Sequence, residues 1–128
     1  MLHHVSFGVA DLGRSAAFYD ATLATLGYVR AWTDAIAIGY GLPGGGDRLA
    51  IKLGREAVVA PNAGFHLAFA APSWDSVRAF HQSALQHGGQ DNGAPGLRPH
   101  YGPDYFAAFV IDPDGYRIEA VVNDPSER

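Results

Sequence analysis

A chain of 128 residues suits one compact domain carrying one site, or one pair of symmetry-related sites. A net charge of −4 with no basic stripe excludes the electrostatic footprint of a nucleic-acid binder, and the lack of cysteine excludes a thiol nucleophile, a zinc finger or a disulfide framework. With no signal peptide and no apolar run long enough to span a bilayer, the sequence predicts a soluble, cytoplasmic protein with no membrane partner.

The first predicted strand runs from His4 to Val9, alternating apolar with small or polar side chains. Asp11 follows as a helix N-cap, Ala17, Phe18, Leu23 and Leu26 supply a helical apolar face, and Gly27 ends it. Two strand-like runs come next, "AWTDAIAIGYG" and "RLAIKL", joined by the turn "LPGGGD". That turn lacks the Lys-Ser/Thr ending and the following helix of a phosphate loop, and reads as a hairpin turn.

The same order then returns in "FHLAFAAPSWDSVRAFHQSALQHGG", with Ser73 as N-cap and Gly88 and Gly89 as the stop. A Pro- and Gly-punctuated loop, "APGLRPHYGPDYF", leads to the strands "DYFAAFVI" and "YRIEAVV", joined by "DPDG" as a type I turn. The tail "NDPSER" is expected to fray. Since 66 minus 4 is 62, a gapless shift of 62 positions superposes His4 on His66, Phe7 on Phe69, Asp11 on Ser73, Phe18 on Phe80, Leu23 on Leu85 and Gly27 on Gly89. The expectation is an α+β fold in a single domain, residues 1–128. It would consist of two copies of a strand, a helix and about three further strands, module 1 over about 1–60 and module 2 over about 61–124.

Strand alternation sorts the candidate site residues. Val5, Phe7 and Val9 face the core, leaving His4, Ser6 and Gly8 on the other face; Phe65, Leu67 and Phe69 likewise leave His66, Ala68 and Ala70. On the last strand Glu119 stands among apolar neighbours and needs a partner. Two imidazoles and a carboxylate from three strands form a facial metal-binding set with open positions for water or substrate. His3 points to the opposite face from His4 and reads as an end residue.

Lys52 and Arg48 share the face of Ala50, where they could hold an anionic group, with Arg48 better explained as an edge charge in solvent. The loop before the last strand pair concentrates Arg98, His100, Tyr101, Asp104 and Tyr105. His100 and Tyr101 are the candidate acid or base, and Lys52, Arg98 and Tyr105 the candidate substrate-binding groups. His81 and His87 read as solvent-facing or helix-end residues, and Trp74 as core packing.

The segments "HHVSFGVADLGRSAAFYDATLATLGY", "GFHLAFAAPSWDSVRAF" and "AAFVIDPDGYRIEAV" resemble the vicinal oxygen chelate superfamily, which includes glyoxalase I, fosfomycin-resistance thiol transferases, bleomycin-resistance proteins and extradiol dioxygenases. The most specific feature is "DPDG" followed, four residues after its Gly, by Glu. The resemblance implies paired βαβββ modules forming a U-shaped, cup-like sheet around a divalent metal, with the first ligand seven residues before the Asp of the strand-to-helix turn. That count falls on His4, and the other ligands match His66 and Glu119. Glyoxalase I enzymes usually add a Glu on the last strand of the first module. Here the matching residue is Ala50, so a hemithioacetal isomerase would need another base.

The resemblance implies a metal-dependent lyase, isomerase or thiol transferase using zinc, manganese, nickel or iron on a small oxygen-rich or anionic substrate. Its alternatives are a small-molecule binder of the bleomycin-resistance type and an Fe(II)-dependent ring-cleaving dioxygenase. Related proteins are often homodimers, and the sequence leaves open whether the site is completed within one chain or across two.

Overall fold

The computed structural model describes residues 1–127. Two modules follow each other with the same element order. The first is β1 (Val5–Val9), α1 (Leu12–Ala24), β2 (Val29–Thr33), β3 (Ala37–Gly41) and β4 (Leu49–Leu53). The second is β5 (Leu67–Ala70), α2 (Trp74–Gln86), β6 (Gln90–Leu97), β7 (Tyr105–Ile111) and β8 (Arg117–Asn123). Each module builds a four-stranded sheet, ordered β1-β4-β3-β2 and β5-β8-β7-β6, in which the first strand pairs parallel to the last and the remaining pairs are antiparallel. This is the α+β tandem βαβββ architecture expected from the repeat.

Both helices start where their caps direct. The Asp11 carboxylate accepts from the Arg14 amide at 3.0 Å, and Ser73 and Ser76 form a reciprocal capping box. Gly27 and Gly88 adopt φ of +88° and +96° at the exits, a conformation that glycine takes without a Cβ penalty. The helices repeat 62 positions apart, but α2 buries a narrower stripe: Phe18 and Phe80 are both fully buried, whereas Leu23 is buried and Leu85 is exposed.

Three expectations need correction. The run from Ala31 to Gly41 is two strands, not one, because the Asp34 carboxylate accepts from the amides of Ile36 and Ala37 and turns the chain there. The loop read from Ala94 onward begins later, since residues 94–97 belong to the edge strand β6. An edge tolerates Pro95, which has no amide to donate, and register shifts around Gly93 absorb the irregular pairing. Phe65, expected in the core, precedes β5 and is exposed.

The apolar faces of both sheets close on one core. Val5, Phe7 and Val9 meet α1 and α2 there together with Leu67, Phe69, Ile118, Ala120 and Val122. The turn at Asp112–Gly115 then clasps the modules together. Asp114 accepts from the Ala10 amide at 3.1 Å, the Arg14 guanidinium at 2.8 Å and the Ser15 hydroxyl at 3.1 Å, all from module 1. Tyr19 donates to Asp112 at 2.5 Å, Tyr116 donates to the Gly8 carbonyl at 2.7 Å, and the rings of Phe7 and Tyr116 stack 4.3 Å apart. Among the described residues no helix is long and apolar enough to cross a membrane. The tail expected to fray carries a short 3₁₀ turn at Pro125–Glu127, and Arg128 lies outside the described residues.

Candidate functional site

With the apolar faces turned inward, the opposite face of each sheet looks outward, and strand register aligns its side chains in rows. In module 2 one row runs Ala68, Glu119, Phe109, Gly93; in module 1 the equivalent row runs Ser6, Ala50, Gly39, Trp32. Ala50 therefore occupies the place that Glu119 holds in module 2, as the sequence match proposed.

Glu119 is fully buried, which for a carboxylate demands compensation. Its Oε2 accepts a hydrogen bond from the Tyr105 hydroxyl. Its Oε1 has no hydrogen-bond partner, although the Nε2 atom of His66 lies only 3.0 Å away. The two facts are compatible because the contact is close but lacks hydrogen-bond geometry. Two ligand atoms each about 2.1 Å from one ion, at about a right angle, stand about 3.0 Å apart. An imidazole nitrogen and a carboxylate oxygen so spaced fit two ligand positions of a divalent cation as well as they fit a direct ion pair. Burial, then the bond to Glu119, pushes the Tyr105 phenol well above its ordinary range, so Tyr105 keeps its proton and donates.

His4 does not join them. It sits just before β1, exposed, with its Nδ1 at 2.8 Å from the Nδ1 of His3, and among the described residues no three metal-ligating side chains converge. His4 lines a cavity of about 190 Å³ together with residues Leu67 to Ala70, an opening distinct from the cleft that Val5 and Phe7 share with Phe65. One chain assembles two of the three expected ligands.

The remaining candidates divide between the modules. Around Phe109 gather His66, with its ring 6.3 Å away, and Arg98, whose guanidinium lies 5.3 Å from the ring and donates to the Ala94 carbonyl. His100 packs on Tyr101 at 4.1 Å, and Tyr101 on Tyr105 at 5.2 Å, which links the predicted loop to the carboxylate. Asn92, Gly93, Arg98, His100, Tyr101 and Phe109 line a shallow cavity. Lys52 stands apart on β4, exposed and paired with Gly8, and Arg48 donates to the His3 carbonyl at 3.2 Å.

His81 corrects the sequence reading. Far from facing solvent, it is largely buried against Asp91 at 2.9 Å, where it and the Gly93 amide hold that carboxylate below its usual range and tie α2 to β6. His87 hydrogen-bonds the Ser83 carbonyl at the helix end, and Trp74, partly buried against the core, stacks on Phe106 at 4.2 Å. Sequence reasoning missed Trp32 and Phe109, the aromatic members of the two rows. The signal was present as a Trp facing a Gly across a hairpin, but it becomes readable only once the turn at Asp34 is located.

A protein-family model described as the Glyoxalase/Bleomycin resistance protein/Dioxygenase superfamily matches residues 1–120. No curated protein matches the chain. Among solved structures, a glyoxalase/bleomycin resistance protein from Albidiferax ferrireducens T118 is similar at 33% identity, covering 92% of this chain and 94% of that one, with a TM-score of 0.79. A glyoxalase-related enzyme from Fulvimarina pelagi shares the fold at 23% identity, over 94% and 86% of the two chains, with a TM-score of 0.72. The fosfomycin resistance protein FosX from Mesorhizobium loti shares it at 17% identity over 100% and 96%, with a TM-score of 0.69.

Proposed function

The chain belongs to the Glyoxalase/Bleomycin resistance protein/Dioxygenase superfamily, and from that premise we propose that it is a divalent-metal-dependent enzyme acting on a small oxygen-rich or anionic substrate. The observation that carries this reading is the orphaned Oε1 of a fully buried Glu119 beside the His66 imidazole. His66 and Glu119 would hold the metal from one chain and His4 from a second copy. Support for a homodimer comes from the outward faces, where Ser6, Ala68 and Ala70 are exposed although they flank the site. Small residues there leave room for a second sheet to close over them.

A cation bound there supplies Lewis-acid stabilisation of negative charge on a substrate oxygen. The chain's own residues do the rest. Tyr105 fixes Oε2 of Glu119 and so keeps Oε1 directed at the ligand position. With Ala50 in place of a second carboxylate, module 1 offers no acid or base in that row. Proton transfer falls to His100 and Tyr101, packed against each other at the rim. Arg98 and Lys52 contribute positive charge from the two modules, suited to an anionic substrate group.

Metal analysis after purification without a chelating tag tests the proposal. Wild type should retain about one divalent ion per chain, His66→Ala, Glu119→Gln and His4→Ala should lose it, and His3→Ala should keep it. Less than a few tenths of an equivalent in wild type, unchanged by these substitutions, overturns the reading and leaves a metal-free small-molecule binder. Iron together with ring cleavage would select the dioxygenase chemistry within the family.

A further inference from the structure

Gly39 lies in mid-strand on β3, a position where glycine weakens a sheet unless something needs the space. What needs it is Trp32. A Cβ built on Gly39 would stand 2.3 Å from Trp32 Nε1 and 2.5 Å from Cε2, so the indole rests directly on the glycine backbone. Trp32 retains about a third of its surface (36%) exposed, and Ala50, next along the row, is buried. The row in module 2 makes the opposite exchange: there Gly93 is on the outer strand and Phe109 on the inner one, beside Glu119. Module 1 has thus set a flat, partly open aromatic surface on the face that carries a carboxylate in module 2. Lys52 lies on that face, two residues beyond Ala50, and is exposed.

We infer that Trp32 is a stacking platform that selects a substrate with a flat aromatic or conjugated group beside its metal-binding oxygens, with Lys52 favouring an anion. The inference rests on the metal and homodimer readings for where the oxygens go; the platform itself rests on Gly39 and Trp32. Mandelate, hexahydromandelate and lactate are suitable probes, because they share one 2-hydroxycarboxylate and differ in carrying a flat ring, a puckered ring or a methyl group. In zinc-loaded protein, mandelate should bind at least about tenfold more tightly than lactate and several-fold more tightly than hexahydromandelate, measured by calorimetry. Trp32→Leu should erase the preference for the flat over the puckered ring and leave lactate binding unchanged.

The protein has two tryptophans, and Trp74 is stacked on Phe106 against the core. In a Trp74→Phe variant, the remaining emission comes from Trp32 and should respond saturably to mandelate; should that variant fold poorly, calorimetry on the unaltered protein reads the same preference. Equal affinity for the three acids, or an equal loss for all three in Trp32→Leu, overturns the platform and assigns Trp32 to covering Ala50. Zinc content of the same samples tests the metal reading separately. A zinc-free protein that still prefers mandelate keeps the platform and loses the metal, and a zinc-loaded protein with no preference does the reverse.

Discussion

Modules 1 and 2 share a backbone plan to the residue in their helices, Leu12–Ala24 and Trp74–Gln86, yet they spend the same outward row on different chemistry. Module 2 buries a carboxylate and surrounds it with His66, Tyr105 and Phe109. Module 1 has Ala50 at the equivalent place and a tryptophan seated on a glycine. The difference teaches that a βαβββ repeat keeps register and caps while leaving this row free to diverge, because its side chains do not enter the shared core. The turn at Asp112–Gly115 of module 2 is constrained by both halves, since Asp112 and Asp114 are bonded to module 1.

That asymmetry sets the largest expected effect. Asp114→Ala removes three acceptor contacts and strands the buried Ser15 hydroxyl, and should cost about 3 kcal/mol in urea unfolding. Asp47→Ala, in the module 1 turn, should stay within about 0.5 kcal/mol of wild type. Equal losses would mean that the two turns are mechanically alike.

Next in size is the response to metal. Zinc at about a hundred times its dissociation constant should raise wild-type stability by about 2.7 kcal/mol, seen as a higher Tm, and Glu119→Gln should abolish the rise. Without metal the same substitution should be neutral or stabilising, because it removes a buried charge lacking a full set of partners. A metal-free loss of several kcal/mol would assign Glu119 a structural role and weaken the contrast with Ala50.

Gly39→Ala should follow at about 2 kcal/mol by forcing the indole off its seat, with a red-shifted Trp32 emission in a Trp74→Phe background. An unshifted emission would mean the indole has another stable resting place.

The smallest effect is on pH dependence, and its sign differs between the modules. Burial is the main reason Asp112 is raised above its ordinary value of 3.8, with the charge of Asp114 adding to it. A raised folded pKa gives a contribution that is full below 3.8 and lost as pH climbs through the folded value. Asp20 is the reverse: burial acts to raise it, but hydrogen bonds from Arg30 and Tyr40 outweigh burial and lower it, so its contribution is present above 3.8 and lost on acidification. Between pH 3 and 6, Asp112→Asn should therefore gain on wild type as pH rises, and Asp20→Asn should fall behind it, read from urea midpoints at each pH.

Much of this was legible in the sequence because it is local. Asp11, Ser73, Gly27 and Gly88 mark helix ends by their own side chains or by the lack of one, and the alternation around Glu119 identifies it as a carboxylate among apolar neighbours. What escaped depends on distant partners. The apolar run through Asp34 gives no periodic break at its hairpin. β6 is a strand only because β7 accepts it as an edge despite Pro95, and Trp32 means something only opposite Gly39. That His4 does not gather with His66 and Glu119 among the described residues is likewise a property of how the two modules pack, which a gapless repeat cannot encode.

Mixed dimers test the central claim most directly. His4→Ala and Glu119→Gln chains, each expected to lose metal alone, are unfolded together, refolded and purified as heterodimers by two different tags that do not chelate metal. If His4 of one copy completes the His66–Glu119 pair of the other, one of the two sites per heterodimer is intact, and the mixed species should bind about one divalent ion per dimer. A mixed species as empty as either parent would contradict the shared site.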